Sequence, residues 1–264
     1  MCTLVILRRP HHAWPVLIAA NRDEMVGRPW RSPAHHWPDR PEVIAGMDEQ
    51  AGGTWLGMNE HGVVAAILNG RSSLGPQIGF RSRGELPLEA LDHADALDAI
   101  DALSAVNARP YRTCHLVIAD NRDAAIVSII ETEVGPRTVH TVIPPGVSML
   151  TSSGLNNTSH ARTKMFLPQF RAAAIPDPET GDWNAWRLLL ASRLHDSAEG
   201  HESAMTIVTD RGYGTVSSSL IALPEPNTSG KRPVFLFAAG RPGEAEFLPV
   251  ADTIPAIDAP PPPA

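Results

Sequence analysis

The chain has 264 residues, 43% hydrophobic and 19% charged, which is a globular balance with enough length to bury a sizeable core. Its net charge of -7 argues against nucleic acid as the main partner, because phosphate binding needs clustered Lys and Arg. No run of about 18 apolar residues predicts an integral membrane span. The two cysteines, Cys2 and Cys114, are too few for a disulfide framework or a zinc site.

The opening apolar run is too short for a signal peptide, and its charges follow rather than precede it, so a cytoplasmic address is expected. Thr3–Leu7 and Val16–Ala20 read as strands separated by a loop with Pro10 and Pro15. Trp55–Met58 and Val63–Leu68 flank NEHG, a hairpin turn, and Cys114–Ala119 and Ala125–Ile130 flank DNRD, another. Between these pairs, Leu88, Leu91, Ala94, Leu97, Ile100, Leu103 and Val106 recur at helical spacing and predict one amphipathic helix. Val147–Thr151, Met205–Thr209, Thr215–Leu223 and Val234–Ala238 are further strands. Ser159–Ala174, interrupted by Pro168, and Trp183–Leu194 are helices. The segment from Pro249 to the terminal APPPPA resembles a polyproline extension. The pattern gives one α+β domain over residues 1–248, a layered sandwich of mixed sheets, followed by a Pro-rich tail over 249–264.

Chemistry enters through the first hairpin. If Thr3–Leu7 pairs antiparallel with Val16–Ala20, opposed residues have numbers summing to about 24, and Cys2 falls beside Arg22 and Asp23. A free thiol has a pKa of about 8.5, and a nearby guanidinium favours the thiolate. If Met1 is removed, Cys2 carries the α-amino group, which with a pKa of about 7.7–8.0 can serve as the thiol's base. Arg22 would hold the thiolate or the scissile carbonyl, Asp23 would orient the amine, and Asn69 would donate to an oxyanion. Because strand neighbours face opposite ways, Arg22 and Asp23 share the Cys2 side only if the strand breaks or twists at Asn21. The turn-rich GRPWRSP that follows predicts an early break. Asn21 and Glu24 would complete a substrate-binding wall. Thr54 and Trp55 of GGTW would form its floor, where paired glycines allow close approach.

Plainer readings stand beside these. The Asn-Arg-Asp triplet recurs at Asn121–Asp123, where it reads as a hairpin turn. Arg81, Arg83 and Glu85 suit a solvated loop better than an anion site. His11-His12 and His35-His36 lack the spacing of a metal site and read as surface residues. Cys114 reads as a small buried hydrophobe. No G-x-S-x-G, Walker A or dinucleotide-type glycine pattern is present.

MCTLVI, IAANRDE, GGTWLGMNEHGVVAAILNGR, SRGEL and GYGTVSSSLIAL together resemble the NRDE family. That family is named for the tetrapeptide at Asn21–Glu24 and includes the animal transport and Golgi organisation protein two. The resemblance implies an N-terminal-nucleophile-hydrolase-like fold, an αββα sandwich of two mainly antiparallel sheets between helix layers. It implies Cys2 as nucleophile, Arg22 and Asp23 as its polar partners and Asn69 as oxyanion donor. It leaves two functions open, beside a structural protein that keeps the fold without a ligand. One is hydrolysis of a small amide through Cys2 with no cofactor required. The other is a non-catalytic carrier taking haem or an acyl ligand such as acyl-CoA or lipid in the same cleft. The chain departs from the family at Val216, where an Arg usually follows GYGT, and at Ser152-Ser153, where a Ser-Asn pair is usual.

Overall fold

A computed structural model of the chain describes residues 2–71, 73, 75–226 and 230–250. Two seven-stranded antiparallel sheets face each other. The first contains, from edge to edge, β11 (Gly154–Leu155), β10 (Gly146–Thr151), β1 (Thr3–Arg8), β2 (Val16–Met25), β12 (Tyr213–Leu223), β13 (Val234–Ala238) and β14 (Leu248–Pro249). The second is a meander of β3 (Trp30–Ala34), β4 (Val43–Asp48), β5 (Leu56–Asn59), β6 (Val64–Asn69), β7 (Cys114–Ala119), β8 (Ala124–Ile130) and β9 (Arg137–Val142). Helices α1 (Glu85–Leu91) and α2 (Ala96–Ser104) cover the second sheet, and α3 (Ala161–Ala172) and α4 (Asn184–Leu190) cover the first. The expected αββα sandwich is the observed one.

The period-two alternation of each central strand builds the layers. Leu4, Ile6, Val16 and Ile18 point into the apolar space between the sheets, while Val5, Leu7, Leu17 and Ala19 pack under α3 and α4. A one-residue slip would turn both sets around, so burial on two faces fixes the register. The first hairpin pairs Thr3 with Asn21 and Arg8 with Val16, the sum of 24 that the sequence predicts. At NEHG, Asn59 Oδ1 accepts from the His61 and Val63 amides, and Gly62 supplies a φ of 82°.

Several elements differ from the sequence reading. The single helix expected through Val106 is two, because Asp95 leaves the helix and accepts from the Asp98 amide at 2.9 Å to cap a new one. Met205–Thr209 forms no full strand, only a bridge from Val208 to Gly214; the Thr215 amide donates to the Ile207 carbonyl, Thr206 Oγ1 donates to the Leu190 carbonyl, and the Ile207 amide donates to Thr215 Oγ1. Strands β3, β4 and β9 were not anticipated. The exposed edge strands β3, WRSPA, and β9, RTVHTV, carry too little apolar alternation to announce themselves. Leu248–Pro249 pairs with β13, and the Val250 amide donates to the Phe235 carbonyl, so the sheet takes in the first residues of the Pro-rich stretch. Residues 251–264 of that stretch lie outside the described residues. No helix among the described residues is long and apolar enough to cross a membrane.

Trp186 is fully buried and meets Phe170 edge-on, with ring centroids 5.6 Å apart. Trp186→Ala empties the centre of the α3–α4 layer and should cost about 3–5 kcal/mol, read as a lower urea midpoint with an unchanged slope.

Candidate active site

Strand β2 does not break at Asn21 as expected; it runs on through Asn21–Glu24 to Met25 beside β12. Alternation therefore continues, and the two charged residues part. Arg22 shares the inter-sheet side with Cys2, whereas the Asp23 carboxylate lies on the other face among buried partners from the helix layer. Asp23 nevertheless touches Cys2 through its main chain. The Cys2 thiol donates to the Asp23 carbonyl at 3.8 Å, a sulfur-length hydrogen bond.

Cys2 lies in the wall of a cleft of about 260 Å³ that Arg22, Glu24, Thr54, Trp55 and Asn69 also line. Burial pushes the Cys2 thiol above its ordinary value, and the nearby Asp23 charge adds to this. The hydrogen bond to Asp23 and the Arg22 guanidinium pull the other way. Arg22 is 5% exposed, and its Nη1 has no hydrogen-bond partner among the described residues. Its guanidinium lies 4.1 Å from the Trp55 ring centroid and 5.9 Å from that of Trp30, a stacked seat for a cation. Burial lowers the Arg22 pKa against the attraction of Cys2, Glu24 and Asp48, yet a guanidinium stays protonated in proteins.

The second sheet supplies the rest of the wall. Trp55 fits because Gly46 has no side chain: a Cβ there would stand 2.3 Å from the indole. Gly53 likewise presses against the Gly84 backbone, where a Cβ would come within 2.5 Å. The Thr54 amide donates to the Gly84 carbonyl, while its hydroxyl accepts from the Leu56 amide and donates to the Leu56 carbonyl. Thr54 therefore shapes the floor but has its hydroxyl committed. Asn69, at the end of β6, is half-buried and has no side-chain hydrogen bond among the described residues, so its amide is available to a ligand. Glu24 accepts from the Met25 amide at 2.8 Å and lies 3.9 Å from Arg28.

Asn21 is a correction. It does not present its side chain to the main cleft as a substrate-binding residue. Its Nδ2 donates to the Leu190 and Met205 carbonyls, and its Oδ1 accepts from Ser218 Oγ, which ties β2 to the helix layer. The second triplet behaves as read. Asp120 Oδ1 accepts from the Arg122 and Asp123 amides, and Asn121–Asp123 is a hairpin turn. His11, His12, His35 and His36 do not line the cleft. No group of three or more metal-ligating side chains occurs among the described residues.

Arg162 is the partner that sequence reasoning missed. It is fully buried at the start of α3, donating from Nη1 to Thr3 Oγ1 and, at 3.1 Å, to Asp23 Oδ2, and from Nη2 to the Glu202 carbonyl at 2.8 Å. Thr215 Oγ1 donates to Asp23 Oδ1 at 2.6 Å, and the Tyr213 hydroxyl to the Asp23 carbonyl at 3.3 Å. Beside them, β12 bulges between Thr215, paired with Asp23, and Ser217, paired with Arg22. Val216 is the residue in that bulge. Ser152 and Ser153 line a separate hollow of about 160 Å³ with Arg71 and His160.

A family model described as Transport and Golgi organisation 2 matches residues 1–229. The chain is 38% identical to the human Transport and Golgi organization protein 2 homolog over 76 residues, 28% of this chain and 26% of that one. It is 40% identical to the bovine homolog over 85 residues, 30% of this chain and 29% of that one. The matched stretch thus spans 26–29% of the length of these curated relatives. Among solved structures, a Caenorhabditis elegans N-acylethanolamine-hydrolyzing acid amidase ortholog superposes with a TM-score of 0.53 at 13% identity, covering 86% of this chain and 95% of that one. A mutant conjugated bile acid hydrolase from Clostridium perfringens does so with a TM-score of 0.53 at 14% identity, covering 98% and 94%. At such identities the likeness is one of fold.

Two measurements check this geometry. Arg162→Met leaves the Asp23 carboxylate buried without its cation and should cost about 3–5 kcal/mol, with Asp23→Asn in the same chain recovering part of the loss. Equal stability of the single and double variants in urea would contradict the pairing. The raised pKa values leave less thiolate below pH 9 than in free cysteine, with Cys114 pushed up to about 11. Iodoacetamide should therefore label the encoded chain more slowly than free cysteine at pH 8, with the rate still climbing above pH 9.

Proposed function

The chain belongs to the transport and Golgi organisation 2 family, and from its cleft we propose that it is an N-terminal cysteine hydrolase acting on a small amide. The observation that carries this reading is the placement of Cys2 in a cleft wall beside Arg22, a buried cation whose Nη1 is unengaged. A thiol alone in such a wall would be inert at neutral pH, since burial raises its pKa. The reading therefore requires removal of Met1, which places an amine and a thiol on one residue.

In the proposed cycle the α-amino group of Cys2 takes the proton from Sγ, and Arg22 holds the thiolate. Sulfur attacks the amide carbonyl, the carbon–oxygen π pair moves onto oxygen, and the free amide of Asn69 donates to that oxyanion. Collapse breaks the carbon–nitrogen bond, and the ammonium returns its proton to the leaving amine. A water, deprotonated by the same amine, then attacks the thioester to release the acid and restore the thiol. Asp23 is a positioning residue here: its carbonyl accepts from the thiol, and Arg162 and Thr215 hold its carboxylate. One fold neighbour is named as an N-acylethanolamine-hydrolyzing amidase and another as a conjugated bile acid hydrolase, so hydrolysis in this fold supports the reading by analogy.

The test joins intact mass to active-site labelling of the purified full-length chain. Loss of one Met, covalent labelling of Cys2 by an amide-directed electrophile, and loss of that label in Cys2→Ala are expected. Asn69→Ala should slow turnover about 10²–10³-fold if its amide is the oxyanion donor. A chain that keeps Met1 and leaves Cys2 unlabelled would overturn the hydrolase and return the cleft to the carrier of haem or an acyl ligand.

A further inference from the structure

The cleft beside Cys2 is basic although the protein is acidic. Arg22, Arg28, Arg81, Arg83 and Arg112 line it against the carboxylates of Glu24 and Asp48. Arg28 lies 2.7 Å from Asp48, and Arg81 lies 2.8 Å from Glu85. Arg83 is held differently. It donates to the Ser73 carbonyl and hydroxyl at 2.7 Å, to the Thr113 carbonyl at 3.1 Å and to the Gly75 carbonyl at 3.4 Å, with no ion pair among the described residues. The Gly75 carbonyl also accepts from Arg112 Nη1, at 2.9 Å. One neutral oxygen thus holds two guanidinium groups together in the cleft wall.

Like charges so placed repel, and their closeness lowers the Arg83 pKa beyond the larger effect of burial. An anion between them reverses the sign of that interaction. A guanidinium fork matches a planar carboxylate through paired charge-assisted hydrogen bonds. The charge of Arg83 is felt at both Cys2 and Glu24, which puts it within electrostatic reach of the reacting sulfur. The cleft, at about 260 Å³, is at the small end for ligand sites, which suits a short substrate.

We propose that Arg83 and Arg112 form a subsite for a carboxylate on the amine half of the substrate, making the preferred substrate a short N-acyl amino acid. This rests on the hydrolase reading, since it specifies which amide Cys2 cleaves. Cleavage by water then yields a short fatty acid and an amino acid, with the carboxylate on Arg83 and Arg112 throughout. The acyl half lies against Trp55, Ile67 and Phe80, the apolar part of the same wall.

The test compares N-hexanoylglycine, neutral N-hexanoylethanolamine and N-hexanoylaminoethyl phosphate as substrates of the processed full-length chain. The glycine conjugate should exceed the ethanolamide by about tenfold or more in kcat/KM, as expected for losing a charged hydrogen-bond pair. Arg83→Gln and Arg112→Gln should each bring that ratio towards one, and Arg83→Lys should keep part of it. Circular dichroism checks folding, and if Arg83→Gln unfolds because Arg83 holds Ser73 and Gly75 in place, Arg112→Gln decides. Equal turnover of the acidic and neutral amides overturns the subsite and leaves the hydrolase standing. Preference for the phosphate overturns the carboxylate assignment. If no amide is turned over and Cys2 stays unlabelled, the hydrolase fails. Calorimetry then judges the subsite separately: N-hexanoylglycine must bind the wild type, and more weakly bind Arg83→Gln, or this proposal fails too.

Discussion

The buried ion pair between Asp23 and Arg162 is the constraint on which the site depends. Both side chains are fully withdrawn from water, and a carboxylate in that setting is tolerable only with a cation and hydrogen bonds around it. Arg162, Thr215 and Thr3 supply that setting from α3, β12 and β1. The pair fixes which face of β2 carries Asp23, and alternation then sends Arg22 to the other face. A strand one residue out of register would bury Arg22 beneath α3 and turn Asp23 towards Cys2. The site is thus a consequence of where a different pair of charges is satisfied.

The inter-sheet side shows how an arginine is kept there without an acid. Trp30 meets Trp55 edge-on at 5.8 Å and Phe237 at 5.8 Å, so an aromatic strip bridges the two sheets beneath the Arg22 guanidinium. Aromatic faces attract the cation while leaving its N–H groups uncommitted. A carboxylate in their place would occupy those donors and leave fewer for a ligand. The missing side chain at Gly46 belongs to the same arrangement, because it lets Trp55 lie flat against β4.

How much of this can be read from the chain depends on range. The first hairpin is legible, since two apolar runs separated by a proline-bearing loop allow one register that buries both faces. The central strands Cys114–Ala119 and Val234–Ala238 are legible for the same reason, their apolar runs being buried. Arg162 is not legible: ARTK at the start of a helix has the composition of a solvated face, and only tertiary packing buries it. Arg83 is misread in the same way, because RSRGEL has the composition of a solvated loop, while its hydrogen bonds reach the main chain of Ser73 and Thr113. The two Asn-Arg-Asp triplets set the limit most sharply. One is a turn and the other a strand interior, and the difference lies in β12, which runs alongside the first to Met25.

The family departures bear on energy as well as identity. At the bulge around Val216, Ser217 Oγ is buried without a hydrogen-bond partner among the described residues, and so is Arg22 Nη1 on the strand it pairs with. A buried polar atom left unsatisfied costs about 1–3 kcal/mol, more when charged. An arginine at position 216 would have added another cation to this bulge, where valine adds none. Both atoms lie on adjacent strands and open on the hollow that Cys2 also lines. An acceptor placed between them would meet both. In the proposed cycle that acceptor is the negative charge on sulfur or on the carbonyl oxygen.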